Sequence, residues 1–114
     1  MRFLLEFGDR IYHAHMKDVW WSTAPTAAGV FGGHLEFGHA DRAWDFRSIG
    51  HRRVDFEEVI RALNRIGYAG PLSVEWEDSG MDREHGAREA CERVRAMAFP
   101  PSTSGFDEAF ATDD

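Results

Sequence analysis

The sequence has a single cysteine, Cys91, in 114 residues. A lone cysteine forms neither an internal disulfide nor a cysteine-based zinc site, and it points to a reducing compartment. Long apolar runs are missing as well. No stretch approaches the ~18 apolar residues that a membrane span requires. The opening Met1-Arg2-Phe3-Leu4-Leu5-Glu6 is too short an apolar run for a signal peptide. The expected location is therefore cytoplasmic. Basic clusters are also absent. A net charge of −7 with no basic patch disfavours capture of nucleic acid or of an anionic membrane surface. Over half of that charge sits in the tail, Pro100 to Asp114, where Asp107, Glu108, Asp113 and Asp114 face no Lys or Arg. The tail reads as a disordered acidic segment, residues 100–114, behind a folded region, residues 1–99. Length excludes some large folds as complete units. A closed (β/α)₈ barrel typically needs about 250 residues, and a full dinucleotide-binding sheet is also too long.

What remains is ordinary soluble composition, 43% hydrophobic and 29% charged. Residues 2–7 read as the end of a helix, with Phe3, Leu4 and Phe7 at helical spacing and Gly8 as a stop. Ile11 to Met16 reads as a strand. Ile11, His13, His15 and Lys17 share one face, and Tyr12, Ala14, Met16 and Asp18 share the other. Apolar groups on both faces suit a strand covered on both sides. Residues 19–53 show no sustained period, so they read as one long loop, rich in glycine and aromatics. A loop of that length is usually functional or disordered, and its aromatic content argues against plain disorder.

A clear helix follows. Asp55 is its N-cap with Glu58 as capping-box partner, and Phe56, Val59, Ile60, Leu63 and Ile66 form one apolar stripe. Gly67 ends it, and Tyr68 to Pro71 turns the chain. Leu72 to Trp76 is a second strand, with Ser73, Glu75 and Glu77 on one face. Asp82 caps a last helix, Arg83 to Ala98, whose buried side carries Ala87, Ala90, Cys91, Val94 and Met97. Cys91 then reads as inert core. Strand, helix, strand in this order predicts a parallel pair with a right-handed crossover.

In folds of this class ligands bind beyond the carboxyl ends of the strands. His15 and Glu75 both lie at such ends. If the strands are neighbours, about 4.8 Å apart, the two side chains point into one space. An imidazole and a carboxylate there suit a divalent metal such as Mn²⁺, Mg²⁺, Co²⁺ or Zn²⁺. The same spacing also suits a core histidine and an unrelated rim carboxylate.

The segment His13-Ala14-His15-Met16-Lys17-Asp18 resembles the H-x-H-x-K-D strand of the sugar phosphate isomerase/epimerase family, whose members have a xylose-isomerase-like barrel. The resemblance continues through Trp44 to Gly50, Val54 to Leu63, Ile66 to Asp78 and Met81 to Ala87, in family order and spacing. It implies a partial (β/α)₈ TIM barrel: the seventh and eighth strands with their helices and a long loop after the seventh. In the family one divalent metal is held by two Glu, one Asp and one His. The resemblance assigns the His ligand to His15, and a ligand that also serves as acid/base to Glu75. The other two ligands belong to earlier strands. It further implies isomerisation or epimerisation of a sugar or sugar phosphate, through an enediolate formed next to a carbonyl. His13, Lys17, Arg47 and Trp20 are candidate substrate contacts. For each, a structural reading stands beside the functional one: a packed histidine, a strand-end lysine, a surface arginine, and a tryptophan filling the hollow under the loop along with Trp21 and Trp44. Glu77, Asp78 and His85 read as solvated rim groups.

One departure stands out. Arg52 occupies a glycine position of the family's G-x-G turn, which predicts strained or rearranged backbone there. With half of a four-ligand site, the chain is expected to be inactive alone, and to self-associate or pair with the rest of a barrel. Other readings are an inosose dehydratase-like enzyme, a non-enzymatic half-barrel interaction module, and an endonuclease acting on abasic DNA. The last needs a basic surface and more histidines than His39-Ala40-Asp41 offers.

Overall fold

The computed structural model describes residues 1–105, 107 and 108. The expected acidic tail therefore lies partly outside the described residues. In chain order the elements are helix α1 (Arg2–Glu6), a tight 3₁₀ turn (Gly8–Arg10), strands β1 (Ala14–Met16), β2 (Asp18–Trp21) and β3 (Trp44–Arg47), helix α2 (Phe56–Arg65), strand β4 (Leu72–Val74) and helix α3 (Arg83–Met97).

β1 and β4 pair in parallel, with Ala14 opposite Leu72, His15 opposite Ser73 and Met16 opposite Val74. The pairing runs one step further, where the Glu75 amide donates to the Met16 carbonyl at 3.0 Å. Both strands are shorter than their patterns suggest, because Ile11 to His13 and Glu75 to Trp76 lie outside the ladder. The parallel arrangement follows from the helix between the strands, which returns the chain to the same end of the sheet.

The core forms on one side of this pair. Met16, Ile49, Phe56, Ile60, Leu63, Ala90 and Val94 make a buried cluster, and Ala14, Leu72, Val74 and Trp76 pack against it. The α2 stripe is as its periodicity requires: Phe56, Ile60 and Leu63 are buried, and Asp55 caps the helix through the Glu58 amide. Gly67 follows its end. On α3, Asp82 caps through the His85 amide, and Gly86, Ala90 and Val94 are buried. A side chain at Gly86 would collide with the Trp76 ring, so glycine lets the indole lie flush on α3. Cys91 is half-buried.

Four expectations need correction. First, residues 19–53 are not one loop. β2 and β3 form an antiparallel pair with Asp18 opposite Arg47 and Trp21 opposite Trp44. The intervening segment carries no two-residue hairpin signal, so the pairing has no local mark in the sequence. Second, the β1 strand is covered on one side only. Met16 is buried, but His13 and His15 are exposed, as is Tyr12 at 79%. Third, α1 ends with Phe7 in an ordinary backbone conformation and the Gly8–Arg10 turn takes over, so Gly8 is not a left-handed stop. Of the proposed α1 stripe, only Leu4 joins the core, while Phe3 is 64% exposed. Fourth, Arg52 carries no strain, because no residue other than glycine has positive φ among the described residues. The left-handed step falls two residues earlier, at Gly50 with φ 85°.

The turn around Arg52 is organised by Asp18, which is fully buried. Its carboxylate accepts from the amides of Gly50 at 3.0 Å, Arg52 at 3.0 Å and Val54 at 3.1 Å, and from its neighbour Val19 at 2.8 Å. Replacing it by alanine leaves buried backbone donors without partners. We expect Asp18→Ala to lose about 3 kcal/mol or more, and Asp18→Asn, which keeps one acceptor oxygen, about half of that. Urea unfolding of the two variants measures both losses.

Candidate functional site

The uncovered face of the β1–β4 pair carries the polar side chains of both strands. Alternation along β1 puts His13, His15 and Lys17 on this face, and alternation along β4 and its extension adds Ser73, Glu75 and Glu77. The parallel register then brings them together at the carboxyl ends of the strands.

His15 Nδ1 lies 3.2 Å from Glu75 Oε2. Lys17 Nζ donates to Glu75 Oε1 at 2.7 Å and to Glu77 Oε1 at 2.8 Å. The same ammonium stands 3.7 Å from the centre of the Phe46 ring, so β3 supplies an aromatic floor beneath it. One layer away, His13 Nε2 is 2.6 Å from Ser73 Oγ, and the His13 and His15 rings are 5.0 Å apart. The face is thus an ordered row in which one lysine serves two carboxylates.

These contacts set the charge states. Hydrogen bonds from Lys17 and then His15 hold the Glu75 carboxyl below the usual carboxylate range. For Lys17, burial pulls the ammonium down, but hydrogen bonds to Glu75 and Glu77 outweigh it and hold it above the usual lysine range. Both groups are therefore firmly ionised at neutral pH.

The other candidates are placed as follows. Arg47 is half-buried. Its Nη1 donates to its neighbour's carbonyl, Phe46 O, at 2.9 Å and lies 3.7 Å from Asp45 Oδ2, with the guanidinium 5.7 Å from the Trp20 ring. The β2–β3 register puts Arg47 and Trp20 on the face opposite Phe46, so they do not join the His15–Glu75 row. Trp44 packs edge-on against Phe37 and Phe46, filling the hollow under the long excursion, while Trp21 is 44% exposed. His13 is exposed in this chain, with Nε2 on Ser73 Oγ. Glu77 is no free rim group, since it shares Lys17. Asp78 also differs from that reading: its Oδ2 accepts from the Ser48 amide at 2.9 Å and its Oδ1 from the Gly80 amide at 2.9 Å. His85 is exposed, as expected, and lies 3.6 Å from Glu89.

Several residues that build the site's surroundings were not singled out by their sequence pattern. Asp18, Arg42, Asp45 and Ser48 are buried polar groups. Ser48 accepts from Trp76 Nε1 at 3.0 Å, tying the segment after β3 to the end of β4. Arg42 donates to the carbonyls of Gly32, Leu35 and Trp44, and stacks on Phe37 and Trp44. A polar residue inside a segment without periodicity gives no sign of burial. Only the aspartate after His-x-His-x-Lys, through the family resemblance, could have drawn notice.

A family model described as a xylose isomerase-like TIM barrel matches residues 2–97. The chain belongs to the xylose isomerase-like TIM barrel family. It is also 30% identical, over 93 residues, to the Bacillus subtilis (strain 168) protein YfiH, which is described as uncharacterized. That match covers 79% of this chain and 30% of YfiH, so the chain spans less than a third of its relative's length. Family membership accounts for the parallel pair with its helices on one side. In TIM barrels generally the helices lie outside and ligands bind at the carboxyl ends of the strands. No helix among the described residues is long and apolar enough to cross a membrane.

The sign of the pH effect at Glu75 follows from its lowered value. Its contribution to stability is fully present above the unfolded carboxylate value near 4.5 and is lost as the pH falls through the lower folded value. A carbon-detected NMR titration of the metal-free chain should put the Glu75 midpoint below 4.5, and Lys17→Met should move it upward. An unchanged midpoint in the variant would show that the lysine does not govern the carboxylate.

Proposed function

We propose that this chain supplies one side of a metal-dependent active site for isomerising or epimerising a sugar or sugar phosphate. The observation that carries the reading is the convergence of His15, Glu75 and Lys17 at the carboxyl ends of two parallel strands. The family membership narrows the chemistry. In this reading the two strands take the seventh and eighth positions of the barrel, and their free edges pair with further strands or with a second copy. The setting is cytoplasmic.

The donor set fits a divalent ion of the Mn²⁺, Mg²⁺, Co²⁺ or Zn²⁺ kind, since it joins an imidazole nitrogen to an ionised carboxylate. It is also incomplete: among the described residues no three His, Cys, Asp or Glu side chains gather where they could hold an ion. His15 and Glu75 would be two ligands, and the remainder would come from other strands. Such an ion supplies Lewis-acid polarisation of a carbonyl and its neighbouring hydroxyl.

The chain's own residues account for the rest. In isomerisation Glu75 takes a proton from the hydroxyl-bearing carbon beside the carbonyl and returns it to the former carbonyl carbon, while the hydroxyl proton passes to the former carbonyl oxygen. Epimerisation instead needs a second acid, from the other strands, to return a proton to the same carbon on its opposite face. A carboxylate held strongly ionised is a good ligand but a weak base, so Lys17 governs which role Glu75 plays. Glu77 holds the same ammonium, 2.8 Å away, and keeps it in place as Glu75 engages substrate. His13 and Lys17 face the same space and contact substrate hydroxyls. Arg47 and Trp20, on the other face of their hairpin, contact substrate only through a part that extends past the strand ends.

Two measurements test this. Calorimetry of the purified chain with Mn²⁺ or Zn²⁺ should show weak binding that His15→Ala and Glu75→Gln each abolish; tight one-to-one uptake would overturn the half-site reading. In a barrel completed by the strands bearing the other ligands, Glu75→Gln should slow solvent-deuterium exchange at the substrate carbon by about 10²–10⁴-fold. Undiminished exchange would remove Glu75 from the chemistry.

A further inference from the structure

The segment that joins β2 to β3 carries a second surface, which shares no residue with the His15–Glu75 row. Residues 19–35 contain no Asp, Glu, Lys or Arg, in a chain that is 29% charged. Trp21 and Trp44 are paired at the end of the β2–β3 ladder away from Asp18. About 10 Å of strand separates the two ends of that ladder. Next to this pair opens an apolar hollow of about 560 Å³, walled by Trp21, Ala24, Pro25, Val30 and Trp44 among others. Val30 is 75% exposed, and Phe31, the next residue, is 85% exposed.

The backbone that presents Phe31 is held. Trp44 Nε1 donates to the Phe31 carbonyl at 2.8 Å. The Arg42 guanidinium is buried and donates to the carbonyls of Gly32 and Leu35. It also lies 4.6 Å from the centre of the Trp44 ring. Its Nη2 has no partner among the described residues. Burying a guanidinium on carbonyls alone is costly, and here that cost fixes the backbone on either side of an exposed ring. An aromatic side chain on a fixed backbone loses little freedom on docking, as an interface anchor requires.

Charge and shape identify the occupant. Charge-poor, aromatic surface is the composition of an interface centre, and it offers no ion pair to an acidic or basic partner. Two copies of a chain with net charge −7 repel each other, and they do so least where the facing surfaces carry no charge. A projecting ring adjoins an apolar hollow on the same segment, so the patch is complementary to itself. Such a patch gives a two-fold dimer in which every contact occurs twice. A covered aromatic removes roughly 150–250 Å² from water. A standard interface takes ~800 Å² from each partner, and Trp21, Val30 and Phe31 with the hollow fall short of that, so the dimer is weak.

We propose that the uncharged segment after β2 is a docking surface for a second copy of this chain, with Phe31 of each copy seated in the other's Trp21–Trp44 hollow. The contact is distinct from the free edges of β1 and β4, and it does not rest on the metal reading.

The test is sedimentation equilibrium of the purified full chain. A monomer–dimer equilibrium is expected, with a dissociation constant on the order of 10 µM. Phe31→Asp should weaken it about a hundredfold or more, roughly tenfold for each of the two symmetric anchors, with an unchanged circular dichroism spectrum. Phe31→Leu, which keeps an apolar knob, should still dimerise. Phe3→Ser, at the exposed apolar position on α1, should leave the equilibrium unaltered. A wild-type chain that stays monomeric at about 200 µM would overturn the proposal. So would equal dimerisation by Phe31→Asp, or assembly beyond dimers that this variant leaves intact, which would assign association to the strand edges. A monomer that sediments with phosphatidylcholine vesicles would overturn it as well, in favour of a membrane surface.

Discussion

The carboxylate of Asp18 is the contact on which the rest of the arrangement depends. It is fully buried and accepts amides from Gly50, Arg52 and Val54. Those amides belong to the turn that leads into α2, and Asp18 itself begins β2 directly after β1. One side chain therefore joins the strand that carries His15 and Lys17 to the helix that covers it. A buried carboxylate is costly unless its oxygens are satisfied, so this site tolerates little else than a turn that offers several amides at once. A two-stranded sheet is marginal by itself. The pinned turn and the packed helices compensate for the short β1–β4 ladder.

The same logic recurs further along the chain. Asp78 holds the Ser48 and Gly80 amides, Ser48 accepts from Trp76, and Glu89 gathers His51 and Arg93 onto α3. Hydrogen bonds to His51 and then Arg93 keep the Glu89 carboxyl below its usual range. Acidic side chains thus act mainly as acceptors for backbone and for neighbouring cations, not as a field that repels. This explains how an acidic chain holds its loops close to its strand ends.

The legible parts of the sequence were those whose cause is local. α2 and α3 follow from apolar periodicity and from Asp55 and Asp82 as caps, all within one or two turns of chain. The β1–β4 parallel pairing follows from strand, helix, strand order. The meeting of His15 with Glu75 required only the period of two along each strand and a shared register. The β2–β3 pairing was not legible, because Val19, Trp21, Trp44 and Phe46 alternate weakly and meet across a long excursion. The pairing of Glu77 with Lys17 and the capture of amides by Asp78 were hidden for the same reason: each depends on a partner far along the chain.

By itself the sequence determined α2 and α3 with the centres of their buried stripes, the two parallel strands and which residues of each strand share a face. It also determined the family, through motifs whose order and spacing persist over nearly the whole described chain. Tertiary structure decided the rest. It chose Asp18 as the anchor of the Gly50–Val54 turn, put the left-handed step of that turn at Gly50, and set Lys17 between two glutamates. It also split Arg47 and Trp20 from the His15–Glu75 row. The physical reason is that periodicity encodes which way a side chain points, whereas hydrogen-bond satisfaction of buried polar groups is settled only when distant segments meet.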